Sequence, residues 1–251
     1  MIKLIISGCN GKMGGVVTKI AQEDQLIETV AGFDINTEKN FEYDVYDNPE
    51  SFTDRADVII DFSHPLMFEK TIKYAVKTKT PIVVATTGLD ENQKKEMVDA
   101  SKEIPVFFSA NMSVGVNLII ELAQKAAKAL EEKFDIEIIE KHHHRKIDAP
   151  SGTALAIADG INEALASKKE YIYDRHSVRK KRSPTELGIH SVRGGTIVGE
   201  HEVIFAGEDE IIEIKHTAMS REIFAQGAIT AAKYIFGKDA GLYDMRKMLS
   251  E

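Results

Sequence analysis

The run Glu140-Lys-His142-His143-His144-Arg145-Lys146-Ile-Asp148-Ala-Pro150-Ser151-Gly152-Thr153 holds the densest chemistry in the chain. Histidine exchanges protons near neutral pH, and a nearby lysine neutralises a carboxylate or gives up a proton. A Ser-Gly-Thr turn opening a helix adds hydroxyls and helix-start amides, which together make a carboxylate pocket. On residue type alone three uses compete. A metal site needs three or four converging ligands and finds no usable cysteine here, so no metal is expected. A solvated basic edge is the plain alternative. The third use, an acid–base site for a small anionic substrate, is favoured by the acidity of the whole. With 32 Lys plus Arg against 40 Asp plus Glu, the formal net charge is −8, and a local excess of positive groups stands out. If the run ends a strand, alternation puts His142 and His144 on one face and His143 on the other.

A second constellation lies at the N-terminus, where Gly8-Cys9-Asn10-Gly11-Lys12-Met13-Gly14 follows an apolar run and opens an amphipathic one. Glycines between a strand and a helix let the backbone approach a pyrophosphate, which sits at the helix N-terminus. The spacing is GxxGxxG rather than GxGxxG. Asp34 follows about 20 residues after Gly14, where a carboxylate accepts hydrogen bonds from the adenosine ribose. The pattern points to a nicotinamide dinucleotide. No arginine stands beside Asp34 to take a 2′-phosphate, which favours NADH, although Lys12 or Lys39 leaves NADPH open. In an open parallel sheet the ligand lies beyond the carboxyl ends of the strands. Ala85, Thr86, Thr87, Ser109, Ala110, Asn111 and Met112 occupy such ends and would line the nicotinamide half; read alone, they are also ordinary turn chemistry. Cys9, near a helix start, is placed where a thiolate would be stabilised, and is assigned no catalysis.

The elements that must position these residues follow from periodicity. Strands are expected at Lys3–Ser7, Ile27–Phe33, Val58–Asp61, Pro81–Ala85 and Val106–Ser109, with helices at Met67–Lys77 and Glu91–Ser101 between them. That alternation implies βαβ units and a parallel sheet. One long helix, Val114–Lys133, then breaks the rhythm. A strand at Ile136–Lys141 and a helix at Thr153–Leu165 follow it, and Ser167–Thr185 reads as an exposed loop carrying the solvated basic run Arg179–Arg182. Strands at Ile189–Arg193, Thr196–Phe205 and Glu210–His216 are separated by turns at Gly194-Gly195 and Gly207–Asp209, which implies antiparallel neighbours. The tail, Arg221–Gly237 and Gly241–Leu249, reads as helical. Two domains are expected: a dinucleotide-binding domain at 1–111, completed by C-terminal helices at 221–251, and a second domain at 112–220.

Composition excludes several classes. An acidic chain lacks the basic face that nucleic acid demands. Cys9 is the sole cysteine, so there is no disulfide framework. No stretch nears the roughly 18 apolar residues of a membrane helix, and no signal peptide is read, so a cytoplasmic location is expected.

Glu140, His142-His143, Lys146 and Asp148-Ala-Pro-Ser-Gly-Thr153 closely resemble the signature of the 4-hydroxy-tetrahydrodipicolinate (dihydrodipicolinate) reductases. The resemblance extends over nearly the whole chain, through Gly8…Gly11-Lys-Met-Gly14, Ala85-Thr-Thr-Gly88, Ser109–Asn117, Arg193-Gly-Gly195, Gly199-Glu-His201, Ser220-Arg221 and Gly241–Arg246. It implies an α/β protein with an N-terminal Rossmann-like parallel sheet and a second α+β domain carrying an open mixed sheet, through which homotetramers form. It also implies an NAD(P)H-dependent reductase of a cyclic dicarboxylate on the diaminopimelate route to lysine. Carried over, His142 is the acid–base residue and Lys146 the proton donor, while His143, Gly152 and Thr153 hold the substrate carboxylates. Gly8 to Met13, Asp34, Ala85 to Thr87 and Ser109 to Met112 hold the cofactor. Four positions depart from the family's habit. Ala85 stands where glycine is frequent, Met112 where phenylalanine is, and Lys12 where arginine is. Ile35 stands where NADPH-tolerant members place arginine, in keeping with NADH.

Overall fold

The computed structural model describes residues 1–130 and 133–251, which divide into unit 1, Met1–Val114 with Glu222–Glu251, and unit 2, Gly115–Arg221. Among the described residues no helix is long and apolar enough to cross a membrane.

Unit 1 is built on strands whose side chains are apolar on both faces, the mark of a covered parallel sheet. The strands are β1 (Ile2–Ser7), β2 (Ile27–Phe33), β3 (Asp44–Tyr46), β4 (Val58–Asp61), β5 (Ile82–Val84), β6 (Pro105–Phe108) and, from the tail, β12 (Gly241–Tyr243). They pair in parallel in the order β12-β6-β5-β4-β1-β2-β3. Leu4, Ile6, Val58, Ile60 and Val83 face one layer, containing α1 (Lys12–Glu23) and α6 (Glu222–Ile235). Ile5, Ile59, Ile82 and Val84 face the other, containing α2 (Pro65–Thr78) and α3 (Glu91–Ala100). The order in which strands are added to the sheet switches sides between β1 and β4, so a ligand crevice is expected beyond their carboxyl ends. Asp90 and Gln93 start α3 with a reciprocal capping box.

Unit 2 has a five-stranded mixed sheet, β11-β10-β7-β9-β8. Its strands are β7 (Asp135–His142), β8 (Glu170–Ile172), β9 (Glu186–Arg193), β10 (Gly199–Ala206) and β11 (Ile211–Ala218). The helices α4 (Val114–Leu130) and α5 (Gly152–Ala164) pack Ile119, Ala123, Ile157 and Ile161 against Ile136, Ile138, Val203 and Phe205 on one face.

Four expectations need correction. Gly194-Gly195 does not turn a hairpin: β7 lies between β9 and β10, parallel to the first and antiparallel to the second. The expected loop at 167–185 contains β8, and Arg182 in its basic run is fixed to Glu137 Oε1 at 2.9 Å rather than solvated. The tail segment begins with strand β12, with α7 (Met245–Ser250) after it. The long helix is described over Val114–Leu130; residues 131–132 of its expected span lie outside those described, and Lys133 is in a turn rather than in the helix.

Candidate active site

In unit 1 the glycine turn is dictated by backbone contact. Gly8 has φ +79°, and a Cβ on it would meet the Phe62 carbonyl oxygen at 2.6 Å. A Cβ on Gly14 would lie 2.0 Å from the Gly8 carbonyl oxygen, so only glycine lets α1 start against the turn. Gly11 is the N-cap of α1 and supplies no side-chain cap, leaving the first-turn amides to a ligand or water. Asp34 closes the turn from the end of β2. It accepts from Asn10 N–H at 3.0 Å through Oδ2 and from Asn36 N–H at 3.0 Å through Oδ1. The Asn10 side chain donates to the carbonyls of Asn36 and Glu38 at 2.7 and 2.9 Å, so it braces the loop after β2. Lys12 is exposed. These features fit a dinucleotide: free helix-start amides, a glycine-lined approach and a carboxylate at the second strand.

Cys9 departs from the expectation of a stabilised thiolate. It is fully buried, and burial, followed by the charge of Asp34, pushes its thiol up to about 12. Only its backbone can meet a ligand.

A cavity of 350 Å³ gathers Met13 from α1, Ala85, Thr86 and Thr87 after β5, and Ser109, Ala110, Asn111 and Met112 after β6. Phe62 and Ser63, after β4, and Phe224 of α6 complete the wall. Phe224 had no signal in the sequence beyond helical periodicity. The size suits a compact ring rather than a whole dinucleotide.

In unit 2, β7 ends at His142, so strand alternation does not reach His144. His142 points inward and is buried, His143 is half-buried in the following turn, and His144 is exposed. Glu140, two residues earlier on the same face, is 0% exposed and takes His142 Nδ1 at 2.5 Å on Oε2. Arg193 of β9 grips both its oxygens at 2.8 and 2.7 Å, and the Ser151 N–H reaches Oε1 at 3.2 Å. Burial pushes the Glu140 carboxyl up. The donors Arg193, Ser191 and His142, with the charge of Arg193, outweigh it and hold the group at about 2. Glu140 is therefore ionised and His142 Nδ1 donates. A Cβ at residue 199 would stand 3.1 Å from His142 Nε2, so Gly199 leaves room at that nitrogen.

Ser151 caps α5 by accepting from Ala154 N–H at 3.1 Å, and its hydroxyl also meets His201 Nε2 at 2.9 Å. The rings of His142 and His201 meet edge to face at 5.2 Å. Burial, then the neighbouring His142, lowers His201 to about 4, so it is neutral. Burial, then Arg145, also lowers His143, whose Nδ1 is buried without a partner among the described residues.

The cradle expected to take a carboxylate already holds one. Lys146 Nζ meets Asp148 Oδ1 at 2.8 Å. Lys146 first, and the Gly152 amide among the lesser contributors, lower the Asp148 carboxyl. Thus Lys146, Gly152 and Thr153 share one loop-to-helix junction with His142 and His143. Among the described residues no group of three His, Cys, Asp or Glu could hold a metal ion. Arg193 and His201, which the expected site omits, complete the cluster through strand register: Glu140 faces Ser191 on one side and His201 on the other.

Comparison with known proteins places the chain among its relatives. The family profile for "Dihydrodipicolinate reductase, N-terminus" matches residues 2–112, and that for "Dihydrodipicolinate reductase, C-terminus" matches residues 115–249. A 4-hydroxy-tetrahydrodipicolinate reductase of Caldanaerobacter subterraneus subsp. tengcongensis is 54% identical over 251 residues, covering 100% of this chain and 99% of the relative. One from Clostridium tetani is 47% identical, covering 100% and 98%. Among solved structures, a dipicolinate-bound dihydrodipicolinate reductase from Paenisporosarcina sp. TG-14 superposes with TM-score 0.82 at 26% identity, covering 97% of each chain.

Proposed function

This chain belongs to the dihydrodipicolinate reductase family and is an NAD(P)H-dependent oxidoreductase, and from that premise we propose its reaction and the residues that carry it. It reduces 4-hydroxy-tetrahydrodipicolinate to tetrahydrodipicolinate in the diaminopimelate route to lysine, with NADH preferred. The observation that carries the substrate reading is the Asp148 carboxylate against Lys146 at 2.8 Å, beside the Gly152 amide. A carboxylate of the cyclic substrate would take the same donors, with His143 and Thr153 serving the second carboxylate.

Loss of the 4-hydroxyl and a neighbouring ring proton as water leaves a conjugated imine, and reduced nicotinamide, when bound, would supply the hydride that this imine accepts. The proton has to come from the chain. With Nδ1 committed to Glu140, His142 exchanges protons through Nε2, toward the ring nitrogen or the enamine-like carbon. Lys146 Nζ is the second donor within the same loop. Fixed cationic groups around a dicarboxylate hold the ring in one pose, which supplies proximity and orientation. In unit 1, Gly8 to Met13 and Asp34 hold the adenosine and pyrophosphate half, while Ala85 to Thr87 and Ser109 to Met112 hold the nicotinamide half. Asp34 repels a 2′-phosphate, and Ile35, 78% exposed beside it, offers that phosphate no charge. The working form is a cytoplasmic homotetramer assembled through the open face of the unit 2 sheet.

The test is oxidation of NADH, then of NADPH, by the pure protein supplied with the condensation product of aspartate semialdehyde and pyruvate. Rapid oxidation that needs both precursors, faster with NADH, is expected. Bound NADH without oxidation by either nucleotide would overturn the reaction.

A further inference from the structure

One buried carboxylate joins two parts of the site that sequence separates. Glu140 Oε2 receives His142 Nδ1 at 2.5 Å, and Oε1 receives the N–H of Ser151, the N-cap of α5, at 3.2 Å. Arg193 bridges both oxygens and donates onward to the Asp148 carbonyl at 2.6 Å, so the intervening loop is pinned at its middle as well. Taking a carboxylate wholly out of water is costly, and an apolar core would serve stability as well or better. The pair therefore calls for a role besides cohesion.

We infer that Glu140 is a positioning residue, holding the His142 ring and the start of α5 in one fixed register through two different oxygens. It selects the tautomer that leaves Nε2 for proton exchange, and it aims the amides of Gly152 and Thr153 at the carboxylate. The inference rests on the site assignment proposed above and adds a division of labour to it. His142 touches the reacting ring, Gly152 and Thr153 touch the carboxylate, and Glu140 touches neither. The groups facing His142 are Glu140 on its own strand, Arg193 paired with it from β9, His201 from β10 and His143 just after the strand; Lys146 and His216 of β11 act on His201 in turn. Of these, Glu140 is the anion in direct contact with the ring, at Nδ1.

The test compares the full-length wild type with Glu140→Gln, Glu140→Asp and His142→Gln. NADH titration checks that unit 1 is intact in each. The pH profile of kcat for His142→Gln identifies the limb that His142 contributes. In Glu140→Gln, kcat should fall about 100-fold, the scale of a misplacement near 1 Å. The His142 limb should move to lower pH, because a neutral amide replaces the carboxylate against the ring. Binding of dipicolinate, measured by calorimetry, should weaken about tenfold, the loss of one modest hydrogen bond. Glu140→Asp keeps the charge and should recover part of each change. Wild-type kcat, limb and dipicolinate affinity in Glu140→Gln would overturn the inference, as would a loss of kcat with the limb unmoved. Should Glu140→Gln fail to fold, Arg193→Lys loosens the same carboxylate and should move the limb in the same direction; an unmoved limb there counts against the inference. A wild type without turnover would sink the proposed reaction instead. The His142 ring titration by NMR and the dipicolinate titration would then still judge Glu140.

Discussion

Thr86 donates from Oγ1 to Asp61 Oδ2 across 2.6 Å, and the carboxyl that receives it is 0% exposed. Ser63 donates to the other oxygen at 2.6 Å, and the Asp61 carbonyl takes the Ala85 N–H at 2.9 Å. The end of β4 thus fixes the loop after β5, and both hydroxyl donors line the cavity of unit 1. No Lys or Arg among the described residues pairs with Asp61. Burial pushes its carboxyl up, against the pull of Ser63, Ser7 and Thr86. Thr86→Val removes a donor from a buried acceptor and should cost about 1–3 kcal/mol, read as a lower urea midpoint. Thr86→Ser restores the hydroxyl and should recover most of it. Equal midpoints for Val and Ser would show that the contact does not hold the loop.

The proposed nucleotide preference turns on one exposed position. Asp34 is tied to the glycine turn through Asn10 N–H, so replacing it would disturb the fold of the loop as well as the proposed ribose contact. Ile35 is 78% exposed and carries no such tie. Ile35→Arg should raise kcat/KM for NADPH about tenfold by giving the 2′-phosphate a partner, and leave NADH within about twofold. Steady-state rates with both nucleotides decide it. An unchanged NADPH rate would place the 2′ end of the cofactor away from Ile35.

How much of this was legible depends on how local the signal is. β4 was readable because Val-Ile-Ile-Asp is buried at all four positions. The glycine turn was readable because Gly8 and Gly14 have no substitute there. Glu140 and Arg193 are 53 residues apart, and nothing near either announces the other. Their meeting depends on β7 lying between β9 and β10, which the Gly194-Gly195 turn disguises as a hairpin. The histidine run misled in a second way, since a strand pattern has no mark for the residue at which pairing stops. β12 was missed because three residues are too few to show a period beside the helix that follows them.

His201 makes stability depend on pH in a defined window. Its folded value, about 4, lies below its ordinary 6.5, so the unfolded chain takes up the proton first on acidification. Stability attributable to neutral His201 is complete above pH 6.5, falls as pH drops toward 4, and is lost below that. The total is on the order of 3 kcal/mol. Glu140 acts lower down: its carboxylate stabilises above its ordinary 4.5, and that contribution disappears as pH falls toward 2. Urea unfolding at pH 7.0, 5.5 and 4.5 (about the ends and middle of this window) should show a decline that His201→Gln flattens. A variant with the wild-type slope would show that the proton goes elsewhere.

The face of the unit 2 sheet opposite α4 and α5 carries Ile139 and Ile204, in register with Glu202 and Glu137. An apolar pair among charges suits a self-complementary contact better than open solvent. Ile139→Lys with Ile204→Lys should convert the proposed tetramer to smaller species in light scattering while leaving NADH binding unchanged. A wild type that is monomeric at assay concentration would remove the tetramer from the proposal.

Two glycines of the same turn separate folding from binding. A Cβ on Gly14 meets the Gly8 carbonyl oxygen at 2.0 Å and Cys9 Cα at 2.6 Å, both backbone atoms that cannot swing aside. Gly14→Ala should therefore cost about 3 kcal/mol or more and appear as a large fall in Tm. A Cβ on Gly11 finds only the Gly8 carbonyl oxygen at 3.1 Å, and the residue is exposed at the start of α1. Gly11→Ala should fold with a Tm close to wild type, because a shift of a few tenths of an ångström relieves that contact. Its methyl group would nonetheless stand where the proposed pyrophosphate contact reaches the first-turn amides, so the Kd for NADH should rise about tenfold. Thermal unfolding and NADH titration of the two variants test this directly. NADH affinity unchanged in Gly11→Ala would mean that the pyrophosphate does not lie against this turn, and the assignment of Gly8 to Met13 would fall with it.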